Sequence, residues 1–168
     1  MNNKQIIHLF APNVLAGAER VVITGANDLA ESGLSVHLFI IKEMRNPSHA
    51  DEFISLLSPK IKVTILNSHK ALDLTLINDL KSKLKSFNPD DTIIHTHGYK
   101  ALLLLKLANK IKKYHIVHTH HGNTSHTLKV KVYEWIAMRL MNQIDAVICV
   151  SEAMNVVACG KTRTIHSF

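Results

Sequence analysis

Gln5-Ile6-Ile7-His8-Leu9-Phe10, followed by Ala16-Gly17-Ala18-Glu19-Arg20-Val21-Val22, is the stretch whose reading decides the fold. An apolar run of strand length passes through a turn of small residues into a segment where Val22, Gly25, Ala26, Leu29 and Ala30 recur at helical spacing. Gly33 then stops the helix as a left-handed C-terminal cap. Strand, small-residue turn and helix together present free backbone N–H groups and the positive end of a helix dipole to an anionic ligand.

The alternation continues outward from this unit. Strands are expected at Gln5–Phe10, Leu34–Ile41, Ile61–Leu66, Thr92–Thr96, His115–Thr119 and Ala146–Val150. Most read as continuously apolar, as strands covered on both faces must. A helix starting near Ser68 carries Leu72, Leu76, Ile77, Leu80 and Leu84 inward and Lys81, Lys83 and Lys85 outward, and ends before the turn Asn88-Pro89-Asp90. Another, from about Thr127 to Asn142, has Leu128, Val132, Trp135, Ile136 and Leu140 on its inward stripe. Arg45-Asn46-Pro47-Ser48 interrupts the pattern, which predicts an irregular, mobile connection and a short helix over Asp51–Leu57. Strands alternating with helices define an α/β class: a Rossmann-like, three-layer α/β/α domain with a mostly parallel sheet, spanning residues 1–168 as a single domain.

Composition narrows the functional classes. A chain of 168 residues that is 46% hydrophobic can bury one core. Cys149 and Cys159 are too few for a disulfide framework, and Cys149 lies in an apolar strand, which fits a reducing compartment. The apolar run Ala101 to Leu105 is far short of the roughly 20 residues that span a bilayer. His8, Pro12 and Asn13 break up the only stretch that resembles an export signal, so the expected location is the cytoplasm. Net charge is +7, with lysines clustered at Lys81-Lys83-Lys85, Lys106-Lys110-Lys112-Lys113 and Lys129-Lys131. These read either as solvated helix faces or as a surface that meets an acidic partner, such as anionic lipid on the inner face of the plasma membrane. Nucleic acid is not an expected partner, because aromatics are only 5% and no basic segment carries interleaved rings on which bases stack.

In a doubly wound sheet, ligands bind outside the carboxyl ends of the strands. Following each strand forward brings Ala11 to Gly17, Thr96-His97-Gly98, Thr119 to Thr124 and Ser151-Glu152 to one rim. Gly17 suits close approach of a phosphate to the backbone, or is an ordinary turn glycine. Glu19 suits the start of a helix on dipole grounds alone, and Ser151 suits a helix N-cap. Neither a dinucleotide fingerprint nor a P-loop is present. Twelve histidines invite a zinc reading, but His95/His97 and His118/His120 alternate along strands without nearby carboxylate or cysteine co-ligands, so no metal is expected. A histidine just past a strand end beside a glycine is suited to hydrogen-bond a substrate hydroxyl or phosphate, which describes His121 best and His120 next. His8, His37 and His115 lie within strands and read as structural.

The order of these features resembles glycosyltransferase family 4. In that family an N-terminal strand leads into a Gly-Gly-x-Glu-Arg-like loop, a central strand ends in Thr-x-His-Gly, and a later strand ends in Val-Ser before a helix. The matching residues are Ala16-Gly17-Ala18-Glu19-Arg20, Thr119-His120-His121-Gly122 and Val150-Ser151-Glu152, with Ala16 in place of the first glycine. Lys161-Thr162-Arg163-Thr164-Ile165-His166 resembles the family's lead into its interdomain linker.

The resemblance implies one half of a GT-B architecture. It implies transfer of a sugar from a nucleotide-diphosphate donor to a glycan or lipid-linked acceptor, with retention and without a metal or other cofactor. Ala16, Gly17 and Glu19 would form the donor-phosphate loop. His121 would act at the reaction centre, and His97, Thr119, His120, Gly122, Ser151 and Glu152 would contact acceptor or sugar. The donor-binding C-terminal domain is expected to lie outside this chain, leaving residues 1–168 with little turnover alone. The alternative is a non-catalytic Rossmann-like module that binds a nucleotide or anionic lipid and recruits a catalytic partner.

Overall fold

A computed structural model describes residues 4–70, 73–121 and 128–150. Six strands, β1 (Gln5–Phe10), β2 (Ser35–Glu43), β3 (Lys62–Ser68), β4 (Thr92–His97), β5 (His115–His120) and β6 (Ala146–Cys149), pair in parallel into one sheet. Its order is β3-β2-β1-β4-β5-β6. The helices are α1 (Gly17–Glu31), α2 (Ser48–Ser55), α3 (Leu74–Leu84), α4 (Gly98–Leu107) and α5 (Leu128–Met141). This is a Rossmann-like α/β/α sandwich. The strand order reverses between β1 and β4, so the crevice above that pair is the switch point at which such sheets hold ligands.

Alternation along each strand sorts the core into two layers. On one face Phe10, Leu38 and Ile40 pack under Val22 and Ala26 of α1 and Phe53 of α2. On the other, Ile7, Leu9, Phe39, Ile41, Ile94 and Ile116 pack with Leu80 and Leu84 of α3, Leu102 and Leu105 of α4, and Ala137 and Leu140 of α5. Fully burying one side chain such as Leu80 or Leu102 contributes about 1.5–3 kcal/mol. Gly33, at φ +90°, ends α1 as its sequence position foretold, with the Leu34 N–H returning to the Leu29 carbonyl at 3.2 Å. Among the described residues no helix is long and apolar enough to cross a membrane.

Three helices depart from the sequence reading. β3 runs on to Ser68, so α3 starts at Leu74 and not near Ser68. Asp73 sets that start: its carboxylate accepts the N–H of Thr75 at 3.0 Å and that of His69 at 2.9 Å. Leu72 lies outside the described residues. α2 begins at Ser48, three residues before the expected Asp51.

In α5, Val132 and Trp135 are 56% and 54% exposed, whereas Ala137, Leu140 and Met141 are buried. The expected inward stripe of Val132 and Trp135 is therefore wrong. The helix packs against α4, and its second half carries the residues that join the core. The Arg139 guanidinium stacks 5.0 Å from the exposed Trp135 ring. The side chain of Leu128 lies outside the described residues.

At the opposite, N-terminal edge of β4 and β5, lysines from two elements converge. Burial, and then the charges of Lys113, Lys85 and Lys81, push the Lys110 ammonium below its ordinary range. No carboxylate pairs with these four among the described residues.

Candidate functional site

The rim above β1 and β4 is lined by imidazoles. Register pairs His8 with His95 and His97 with Thr119, so all four side chains share the face that α1 covers. His8 Nδ1 and His97 Nε2 share a hydrogen bond of 3.0 Å, and His97 Nδ1 meets His121 Nε2 at 3.4 Å. His95 Nε2 pairs with the Thr119 hydroxyl at 2.7 Å. The Phe10 ring stands edge-on to His97 with centroids 5.9 Å apart.

These rings are held neutral. Burial pushes His8 down to about 4. Burial first, then the neighbouring histidines, push His95 down to about 3 and His97 well below its ordinary value. His121 is also lowered by burial, opposed by the Glu19 carboxylate, which favours its charged form. Neutral imidazoles can donate or accept a hydrogen bond, but bring no fixed charge to the rim.

Glu19 closes the loop beside them. It is buried in the first turn of α1, and its two oxygens accept the N–H groups of Asn13 at 3.1 Å and Ala16 at 3.2 Å. This is the returning half of a capping box, and it folds the segment from Asn13 to Ala16 back onto the helix start. Ala16 is the N-cap, in extended conformation, and no side chain caps the helix. The first N–H groups from Gly17 onward are therefore left for water or a ligand. A Cβ on Gly17 would meet nothing within 4 Å, and the residue has no positive φ. Nothing within the described chain requires glycine there, while the space in front of it is open. The left-handed conformation at the rim belongs instead to Gly98, at φ +75°, which turns the chain from His97 directly into α4.

The opposite face carries a different histidine. His118 is fully buried, its Nδ1 shares a hydrogen bond of 2.8 Å with the Thr96 hydroxyl, and burial pushes it down to about 3. His120 is half-buried on that same side, 6.4 Å from His118 between centroids.

Of the residues expected at the site, Ala16, Gly17, Glu19, His97, Thr119 and His121 gather at the α1 side of the rim. His120 points to the other face. Thr119 is buried and engaged by His95, which occupies its hydroxyl. Gly122, Ser151 and Glu152 lie outside the described residues.

Two readings need correction. His8 is not a satisfied structural residue, since its buried Nε2 has no partner among the described residues and its Nδ1 engages His97. His115 is exposed, 4.0 Å from the Asp145 carboxylate. The sequence also gave no prominence to Lys100, in the first turn of α4, whose ammonium joins the Glu43 carboxylate and the Ser68 hydroxyl at the ends of β2 and β3. Its only sequence signal was its place just past a strand end.

Alternating positions on a strand share a face, so the spacing that weighed against zinc in fact gathers His8, His95 and His97, with ring nitrogens within 4.8 Å of one another. In this structure His8 and His97 turn one nitrogen each toward the other at 3.0 Å, the separation of a hydrogen bond.

With this geometry in hand, comparison with known proteins is direct. The family model for Glycosyltransferase Family 4 matches residues 15–158, and the chain belongs to that family. No curated protein matches the sequence. Among solved structures, it is similar to Anabaena Alr3699/HepE in complex with UDP-glucose, with TM-score 0.69 and 19% identity over 96% of this chain and 43% of that one. Sucrose-phosphate synthase from Thermosynechococcus elongatus aligns with TM-score 0.67 and 16% identity over 97% of this chain and 48% of that one. The lipopolysaccharide outer core galactosyltransferase WaaB in its apo form aligns with TM-score 0.65 and 16% identity over 97% of this chain and 45% of that one. The fold is that of the N-terminal, Rossmann-like half of a GT-B glycosyltransferase. The chain spans less than half the length of these neighbours.

Proposed function

We propose that this chain is the acceptor-side domain of a retaining glycosyltransferase that moves a sugar from a nucleotide-diphosphate donor to a polysaccharide or lipid-linked acceptor. The observation that carries the reading is the presence together, at the β1/β4 switch point of a family 4 fold, of a helix N-terminus at Gly17 without a side-chain cap and of His121, which is within electrostatic reach of Glu19 in that helix's first turn. The open N–H groups and the helix dipole suit a diphosphate. His121, a neutral imidazole beside them, suits a hydrogen bond to the reacting sugar or acceptor. In a front-face mechanism the departing phosphate takes the acceptor's proton as the new glycosidic bond forms, so His121 need not be a strong base. The N–H groups and imidazole stabilise the leaving diphosphate without a metal ion.

HepE, a neighbour of the same fold, is seen with UDP-glucose, and WaaB builds lipopolysaccharide outer core, which supports a sugar nucleotide as donor and a cell-surface glycan as product. The lysine edge of α3 and the loop before β5 suits attachment to an anionic membrane from the cytoplasmic side.

The test is a thermal-shift screen of the full-length protein against nucleotide sugars, followed by calorimetry on residues 1–168. The expected result is a hit with the full-length protein and weak or no binding by residues 1–168. Submicromolar binding of a nucleotide sugar to residues 1–168 alone would overturn the division of labour.

A further inference from the structure

His8, His97 and His121 stand in line. The His8–His97 rings are 15° from parallel with centroids 5.3 Å apart, and the His97–His121 rings are 31° from parallel with centroids 5.7 Å apart. In both pairs the centroid separation exceeds the N···N distance by little more than the two centroid-to-nitrogen radii. The facing nitrogens therefore lie on the lines of centres, the direction along which imidazole donors and lone pairs point.

A neutral imidazole has one N–H and one bare nitrogen. His97 uses both nitrogens on other imidazoles, so it donates to one neighbour and accepts from the other. The whole chain thus has one polarity, and its inner end chooses it. At the inner end, His8 Nε2 is buried and has no partner among the described residues. An N–H left there would be an orphaned buried donor, and orphaned buried donors are rarer than orphaned acceptors. The proton of His8 therefore sits on Nδ1. At the outer end the Glu19 carboxylate favours the charged form of His121, an influence that is compatible with a proton on the ring's free nitrogen.

We propose that His8 Nδ1–H donates to His97 Nε2, that His97 Nδ1–H donates to His121 Nε2, and that this chain fixes His121 with its Nδ1–H as the donor offered to substrate at the rim. His8 and His97 are then positioning residues for His121, an assignment that rests on the functional reading above. The other titratable groups facing the chain are engaged elsewhere. His95 of β4 is held by Thr119, His118 of β5 by Thr96, and Glu19 of α1 by two backbone N–H groups, while His120 of β5 lies on the far face.

Ring-nitrogen NMR of the 15N-labelled chain at pH 7.5 tests this directly. All three histidines should show the Nδ1-protonated pattern, a departure from the Nε2-protonated form that a free imidazole prefers. An Nε2-protonated signature on any of the three overturns the proposal. His8→Phe keeps a ring of similar size but removes the terminal donor. It should return His121 to the solution default while the backbone amide spectrum is retained. A His121 pattern unmoved by a folded His8→Phe variant overturns the coupling, and if that variant does not fold, the wild-type spectrum decides alone. In the full-length enzyme His8→Phe should lower kcat about tenfold, as loss of a partner that orients a histidine does, with donor KM unchanged. The Nδ1-protonated pattern in a protein that transfers no sugar would leave the chain standing and break the functional reading. Sugar transfer by a protein whose rings show the opposite polarity would break the chain alone.

Discussion

His97 and His118 are both buried imidazoles near the ends of neighbouring central strands, yet they face opposite sides of the sheet and have opposite surroundings. His97 hands both ring nitrogens to other histidines in a line that runs out to the rim. His118 meets one hydroxyl, that of Thr96, and goes no further. Strand parity separates them: on adjacent paired strands, one step in register moves a side chain from the α1 face to the α4 face. Residue type alone does not distinguish a rim histidine from a core histidine.

The sharpest way to break this contrast is a pair of substitutions in the full-length enzyme. His121→Ala should lower kcat by roughly 10²-fold or more with little change in donor binding, as removal of a preorganised hydrogen bond does. His118→Ala should leave kcat of the folded enzyme within about twofold. Steady-state kinetics with the donor varied read both, and interchanged effects would mean that the two faces have been assigned the wrong way round.

Acid should act on both faces together. Above pH 6.5 these histidines are neutral whether the chain is folded or not, so they carry no penalty. As pH falls from 6.5 towards 4 the unfolded chain takes up protons that His8, His95 and His118, depressed to about 4, 3 and 3, refuse. Stability should therefore fall with pH, by up to about 1.4 kcal/mol per pH unit for each such histidine. Urea midpoints across that window read the slope, and a flat profile would show that the imidazoles are not buried as described.

His118→Ala should cost about 2–4 kcal/mol in urea unfolding, from the lost packing and the loss of one of the two hydrogen bonds of the Thr96 hydroxyl, which keeps the Val117 carbonyl. The smallest expected effect sharpens the comparison within the rim. Gly98→Ala should cost about 1–2 kcal/mol because of its positive φ. Gly17→Ala, with ordinary φ and open space around its Cβ, should change stability by less than about 0.5 kcal/mol while weakening donor binding in the full-length protein. A Gly17→Ala variant that binds donor normally would remove the loop from the phosphate site.

Much of the architecture was legible because a parallel sheet covered on both sides writes its strands as apolar runs, and Gly33 marked the end of α1 at the residue found. α4 was harder to read. Leu102 to Leu105 form a continuous apolar block with no helical stripe, because the helix is packed against both the sheet and α5. The start of α3 was misplaced because Ser68 looks like an N-cap, while Asp73 performs that role. The rim itself was found by following strand ends forward, which delivered Gly17, His97 and His121, while Glu19 entered through the family's loop motif. His8 could not be found that way, since nothing local distinguishes it from His37, and its partner lies 89 residues further along the chain.

That separation has a consequence for how the molecule is made. β1, β2 and β3 form one half-sheet and β4, β5 and β6 the other, and they are joined along the single seam between β1 and β4. His8 belongs to the first half, and His95, His97 and His121 to the second. Pairing across the seam closes a long loop, whose chain entropy is lost before the contacts made there repay it. The imidazole line is assembled by that same event. A chain whose halves have not paired lacks the His8–His97 link, and the joint on which the whole sheet closes is a place at which protonated histidines would repel.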